Sequence, residues 1–162
     1  MSPLIQHRGF TLIELLVTLA VLVIVTTVAV PSFRNLAESN RMTGLANEMV
    51  AAVNLARSEA VKRGAPVSVC AAAGGWEDGW SVREGAACTG AILRVWDAPD
   101  AGPTMTTRPA NLNRVTFAAL GNRANAIDCI HISGASSTDD RILVFGASGA
   151  ISVVRGDECP TT

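Results

Sequence analysis

Two sets of residues in this sequence could do chemistry. The first is Gly9-Phe10 with Glu14, which stands at the head of an apolar run. From Phe10 to Val30 there are 21 residues, and Glu14 is their single charge. A lone carboxylate in such a run is expensive inside a bilayer, by about 3 kcal/mol on insertion scales, and calls for a positive partner. Cleavage after Gly9 would create one, the new amine of Phe10. The second set is four cysteines, Cys70, Cys88, Cys129 and Cys159, spaced 18, 41 and 30 residues apart. None sits at zinc-ligand spacing, so the chemistry left to them is disulfide formation in an exported chain. Three pairings are open. Cys70–Cys88 and Cys129–Cys159 are favoured because each closes a local loop, the second tethering a polar C-terminal tail. Each bridge would contribute about 2–4 kcal/mol by restricting the unfolded chain.

The remaining reactive residues do not assemble into a catalytic pattern. His7 would leave with residues 1–9, and His131, in a strand-like run, reads as a structural or surface residue. The stretch Gly146-Ala147-Ser148-Gly149-Ala150 departs from a nucleophile elbow, because Ala150 replaces the last glycine. There is no phosphate loop and no dinucleotide fingerprint. No catalytic residue, metal or cofactor is therefore expected. Trp76 and Trp80 flank Glu77-Asp78-Gly79 and either form a recognition surface or cover a sheet. Lys+Arg 13 against Asp+Glu 14 gives no global pull on nucleic acid. From Arg108 onward five arginines face five acids. Phosphate contact would need folding to cluster Arg123, Arg141 and Arg155.

The elements that must position these residues follow from periodicity. Residues 10–30, wound as a helix, would span about 31 Å, close to the hydrocarbon thickness of a bilayer. A secretory signal would end at a small-residue cleavage site, and Ala29-Val30-Pro31-Ser32 matches one poorly. Cleavage is better placed on the cytoplasmic side, where His7 and Arg8 form the positive flank. Pro31 predicts a kink, since it lacks an N–H and its ring clashes with the preceding turn. Leu45, Met49, Ala52, Val53, Ala56 and Ala60 then form one helical stripe. Gly64 and Pro66 close that helix.

Beyond Ala65 the pattern changes to short strands at Val67–Ala72, Trp80–Arg83, Ile92–Trp96, Arg114–Phe117, Ala126–Ile132, Arg141–Phe145 and Ile151–Val154. Gly146–Gly149 reads as a hairpin turn, and Ala98–Pro109, with three prolines, as a loop. The expected class is α+β, a long N-terminal helix packed on a small antiparallel β-sandwich-like head. Its organisation would be a leader (1–9), a membrane helix (10–30), an amphipathic continuation (31–64) and a head (65–162).

Gly-Phe-Thr-Leu-Ile-Glu at the start of an apolar helix resembles the type IV prepilin signature, shared by bacterial pilins and the pseudopilins of type II secretion. The resemblance implies that a prepilin peptidase cuts after Gly9 and that the amine of Phe10 is methylated. It also implies that Glu14, the fifth mature residue, meets a neighbouring subunit's Phe10 amine and so sets assembly register. Residues 35–59, with Asn40-Arg41 and Leu55-Ala56-Arg57-Ser58-Glu59-Ala60, are similar to the FimT/FimU and H-type minor pseudopilin subfamily. So are Val67-Ser68-Val69-Cys70 and the Gly75-Trp76…Gly79-Trp80 stretch.

This narrower resemblance implies a minor pilin of a type IV pilus near the filament tip. Its partners would be major and minor pilins, the prepilin peptidase, an inner-membrane assembly platform and, before assembly, the lipid bilayer. It would begin as a single-pass inner-membrane protein with a periplasmic head. One alternative is an H-type pseudopilin of type II secretion. Another is a DNA-binding minor pilin of natural transformation, whose relatives carry a Gly/Arg-rich C-terminal patch. Here Gly121-Asn122-Arg123-Ala124 holds a single Arg.

Overall fold

The computed structural model describes residues 10–100, 102–134 and 140–160. They form two compact units, divided between Ala37 and Glu38. One helix, α1, runs Leu12–Arg63 with Pro31 inside it. Thr11 caps its start: the Thr11 hydroxyl accepts the backbone N–H of Glu14 at 3.3 Å. Gly64, at φ 62°, ends it. Ala65 N–H donates to Ala60 C=O and Gly64 N–H to Val61 C=O, the paired bonds of a left-handed glycine cap. Up to Ala37 every residue of α1 is exposed. From Met42 onward one stripe is buried: Met42, Leu45, Ala46, Met49, Ala52, Val53, Ala56 and Ala60.

Eight strands follow α1: β1 (Val67–Ala72), β2 (Gly75–Glu84), β3 (Ile92–Trp96), β4 (Thr104–Arg108), β5 (Arg114–Phe117), β6 (Cys129–Ser133), β7 (Arg141–Phe145) and β8 (Ile151–Arg155). They make two four-stranded antiparallel sheets, ordered β3-β2-β1-β5 and β4-β6-β7-β8. The α1 stripe packs with Val67, Val69, Trp80, Val82 and Phe117 of the first sheet and Ile130, Ile132 and Leu143 of the second. The architecture is α+β, one long helix with two small antiparallel sheets. Strand alternation sends Ile130 and Ile132 inward, and Cys129 and His131 to the outer face of the second sheet.

The stretch expected to be a loop between Ala98 and Pro109 contains β4. Its prolines, Pro103 and Pro109, stand just outside the strand and deny it no ladder hydrogen bond. β2 begins five residues earlier than the Trp80 start expected from sequence: its pairing with β1 shifts register between Ala71↔Trp80 and Ala72↔Gly75, where Gly75 (φ 127°) and Gly79 (φ 101°) take the positive-φ backbone. Trp76 and Trp80 are buried, so they cover a sheet. Gly146–Gly149 forms the β7–β8 hairpin turn, closed by Gly146 N–H donating to Ala150 C=O at 2.8 Å.

Candidate anchoring and assembly site

Residues 10–37 present apolar side chains in every direction. Phe10 is 84% exposed and Ile24 68%. Such a surface is unstable in water and needs a bilayer or neighbouring helices to cover it. α1 is long and apolar enough to cross a membrane. Three hydroxyls in this segment satisfy themselves on the helix. Thr18, Thr26 and Thr27 donate to the C=O of Leu15, Val23 and Ile24 at 2.9, 2.9 and 2.7 Å. Glu14 thus remains the one charge between Phe10 and Val30. Gly9 lies outside the described residues, whereas Phe10, one bond away, precedes the cap residue Thr11. Phe10 and Glu14 therefore sit four residues apart at one end of the segment.

The cysteines pair as Cys70–Cys88, with Cα atoms 5.9 Å apart, and Cys129–Cys159, with Cα atoms 6.1 Å apart. The second bridge joins the C-terminal tail to β6. Arg108 on β4 adds to it, donating through Nη1 to the C=O of Cys159 at 2.9 Å and of Pro160 at 3.2 Å. The tail therefore turns back from β8 across β7 and β6 towards β4. Gly156 lies over Ile142, where an added Cβ would come within 3.2 Å of Cδ1.

The arginines considered for phosphate contact are not gathered into a patch. Arg141 is 4% exposed and donates to the hydroxyls of Thr43 (3.0 Å) and Ser39 (3.3 Å) on α1. Arg123 faces the Asp128 carboxylate at 3.4 Å. Of these three, Arg155 alone is exposed with no side-chain partner among the described residues. His131 faces the buried Asp140 carboxylate at 3.0 Å. Among the described residues no group of His, Cys, Asp and Glu is arranged to hold a metal.

Several working residues carried no sequence signal. Asn125 acts as a surrogate strand beside β5: its amide Oδ1 accepts Thr116 N–H at 2.9 Å and its Nδ2 donates to Arg114 C=O at 2.8 Å. Glu77 does the same for β4, accepting Met105 N–H at 2.9 Å. The partners lie 9 and 11 residues from Asn125 and 28 from Glu77, and no helix or strand period announces them. The β-branched run Thr104-Met105-Thr106-Thr107 fits a strand, but the flanking prolines outweigh it when the stretch is read alone.

Residues 45–152 match the family model for type II transport protein GspH. Residues 6–30 match the prokaryotic N-terminal methylation motif. No curated protein matches the chain. Two crystal forms of the type IV minor pilin FimU from Pseudomonas aeruginosa (strain PAO1) are similar in structure, each at 27% identity. One aligns with a TM-score of 0.63 over 78% of this chain and 98% of the crystallised one. The other gives 0.59 over 74% and 98%.

Proposed function

The chain belongs to the type II transport protein GspH family, and from that premise we propose that it is a minor pilin of a type IV pilus, incorporated near the tip to prime or cap assembly. The observation that carries this reading is the match to FimU over 98% of the crystallised chain, joined to an N-terminal methylation motif. In the proposed sequence of events, the prepilin peptidase removes residues 1–9 and Phe10 becomes the methylated N-terminus. Residues 10–30 hold the protein in the inner membrane, with the head on the periplasmic side. On assembly, the apolar surface of α1 moves from lipid to neighbouring helices, an exchange between two apolar media. What orders that exchange is charge. Glu14 costs about 3 kcal/mol in hydrocarbon, and a neighbour's Phe10 amine offsets much of it only in one axial register. Pro31 lets the helix bend within the filament.

Gly9→Ala should leave the leader attached, measured as intact mass of the membrane-extracted protein. Glu14→Ala should still be processed yet enter filaments at a small fraction of the wild-type level, read by immunoblot of sheared pili. Normal incorporation of Glu14→Ala in a strain lacking the native copy overturns the register role. The GspH match favours a second reading, a minor pseudopilin of type II secretion. A deletion strain that retains pili but fails to secrete would select it.

A further inference from the structure

A sheet edge offers unpaired N–H and C=O groups, and folded proteins close such edges or guard them. Three of the four edges here are treated in that way. Asn125 closes β5 and Glu77 caps β4. β3 is guarded differently: its pairing with β2 slips between Val82 and Arg83, and a charge, Arg94, stands mid-strand with its guanidinium 4.5 Å over the Trp96 ring. Among the described residues β8 has none of these devices. Its five residues pair with β7 in unbroken register from Phe145↔Ile151 to Arg141↔Arg155. Its centre is apolar and open, with Val153 40% and Val154 42% exposed. The tail that follows is latched to Cys129 and Arg108, away from this edge.

We infer that β8 accepts an added strand from a different subunit of the filament, an extended segment with apolar side chains and a carboxylate beside Arg155. This rests on the pilin reading and names a partner surface for it. The backbone edge restricts the occupant to extended polypeptide, because only a strand supplies complementary donors and acceptors at the right spacing. Five residues need a partner segment about 17 Å long.

Arg155 decides between a second copy and another subunit. Antiparallel self-pairing centred on Val153 sets Arg155 opposite the second copy's Ile151 and leaves both guanidiniums unpaired. Parallel self-pairing sets the two Arg155 side by side, which is repulsive. A strand from another subunit with Asp or Glu at that position completes both the ladder and the charge.

The test uses the full-length protein in its native host, with Ser152→p-benzoylphenylalanine as the photo-crosslinking probe and peptide mapping of the adducts. The expected result is an adduct to a strand of a different pilin-type subunit, with an acidic residue within two positions of the site that lies beside Arg155. In that background Arg155→Glu should lower adduct yield about tenfold, and Val154→Lys should do the same. Val95→Lys, on the guarded β3, should leave it unchanged. Intact mass of the same sample reports whether residues 1–9 are gone. A processed protein whose adducts are absent, go to a second copy or go to lipid overturns the β8 inference alone. An unprocessed protein overturns the pilin reading and this inference with it.

Discussion

At the scale of single residues, two charged groups do structural work, and the sequence advertises it for only one of them. Arg141 was a candidate for phosphate contact, yet it is spent inside the head on Ser39, Thr43 and the backbone of Asp140. Arg141→Ala strands those partners and should cost about 2–4 kcal/mol, read as a loss of thermal stability of the full-length protein in detergent. Glu59 is the opposite case, a surface carboxylate whose role was legible from spacing. Arg63 and Lys62 lie four and three residues on, and Arg63 reaches Glu59 at 2.8 Å. Arg63 first, then Lys62, holds the Glu59 carboxyl below its ordinary value near 4.5. The folded state therefore binds that proton more weakly than the unfolded one. The pair's stabilisation is present above about pH 4.5 and disappears as the pH falls through the lowered value. Glu59→Gln should flatten the acid limb of a thermal-stability profile slightly, and added salt should shrink the difference.

At the scale of elements, α1 was readable over most of its length, because an apolar run, a period of 3.6 and a glycine stop are all local signals. The stripe expected at Leu45, Met49, Ala52, Val53, Ala56 and Ala60 is buried throughout. Strand β4 was not readable as a strand, since its bracketing prolines look like loop punctuation until the neighbouring strand is known. What closes the sheet edges was illegible for a related reason. Asn125 imitates a strand through its side chain, a role visible only once Arg114 and Thr116 lie beside it. Asn125→Ala removes both surrogate bonds and should cost about 1–2 kcal/mol. Amide exchange at Thr116 should accelerate in the same variant while β7 stays protected. Uniform acceleration across the head would instead mean that Asn125 supports the fold as a whole.

At the scale of the whole molecule, the chain divides its labour between two units held by different forces. The described part of the first has no interior and depends on its surroundings, whereas the second carries the core and both disulfides. Reduction should therefore weaken one unit and spare the other. Replacing Cys129 and Cys159 with serine should destabilise the head by about 2–4 kcal/mol, seen as earlier proteolysis or unfolding in denaturant. Membrane retention on alkaline extraction should not change, because residues 10–37 contain neither bridge. The start of α1 carries a further consequence for maturation. Its opening hydrogen bonds are accepted by Thr11, from Leu15 through the carbonyl at 3.2 Å and from Glu14 through the hydroxyl. Were the chain cut after Gly9, as proposed above, none of those bonds would be lost. The new ammonium at Phe10 would then stand one residue before a helical turn whose hydrogen bonds are already in place, and its docking would need no rewinding of α1.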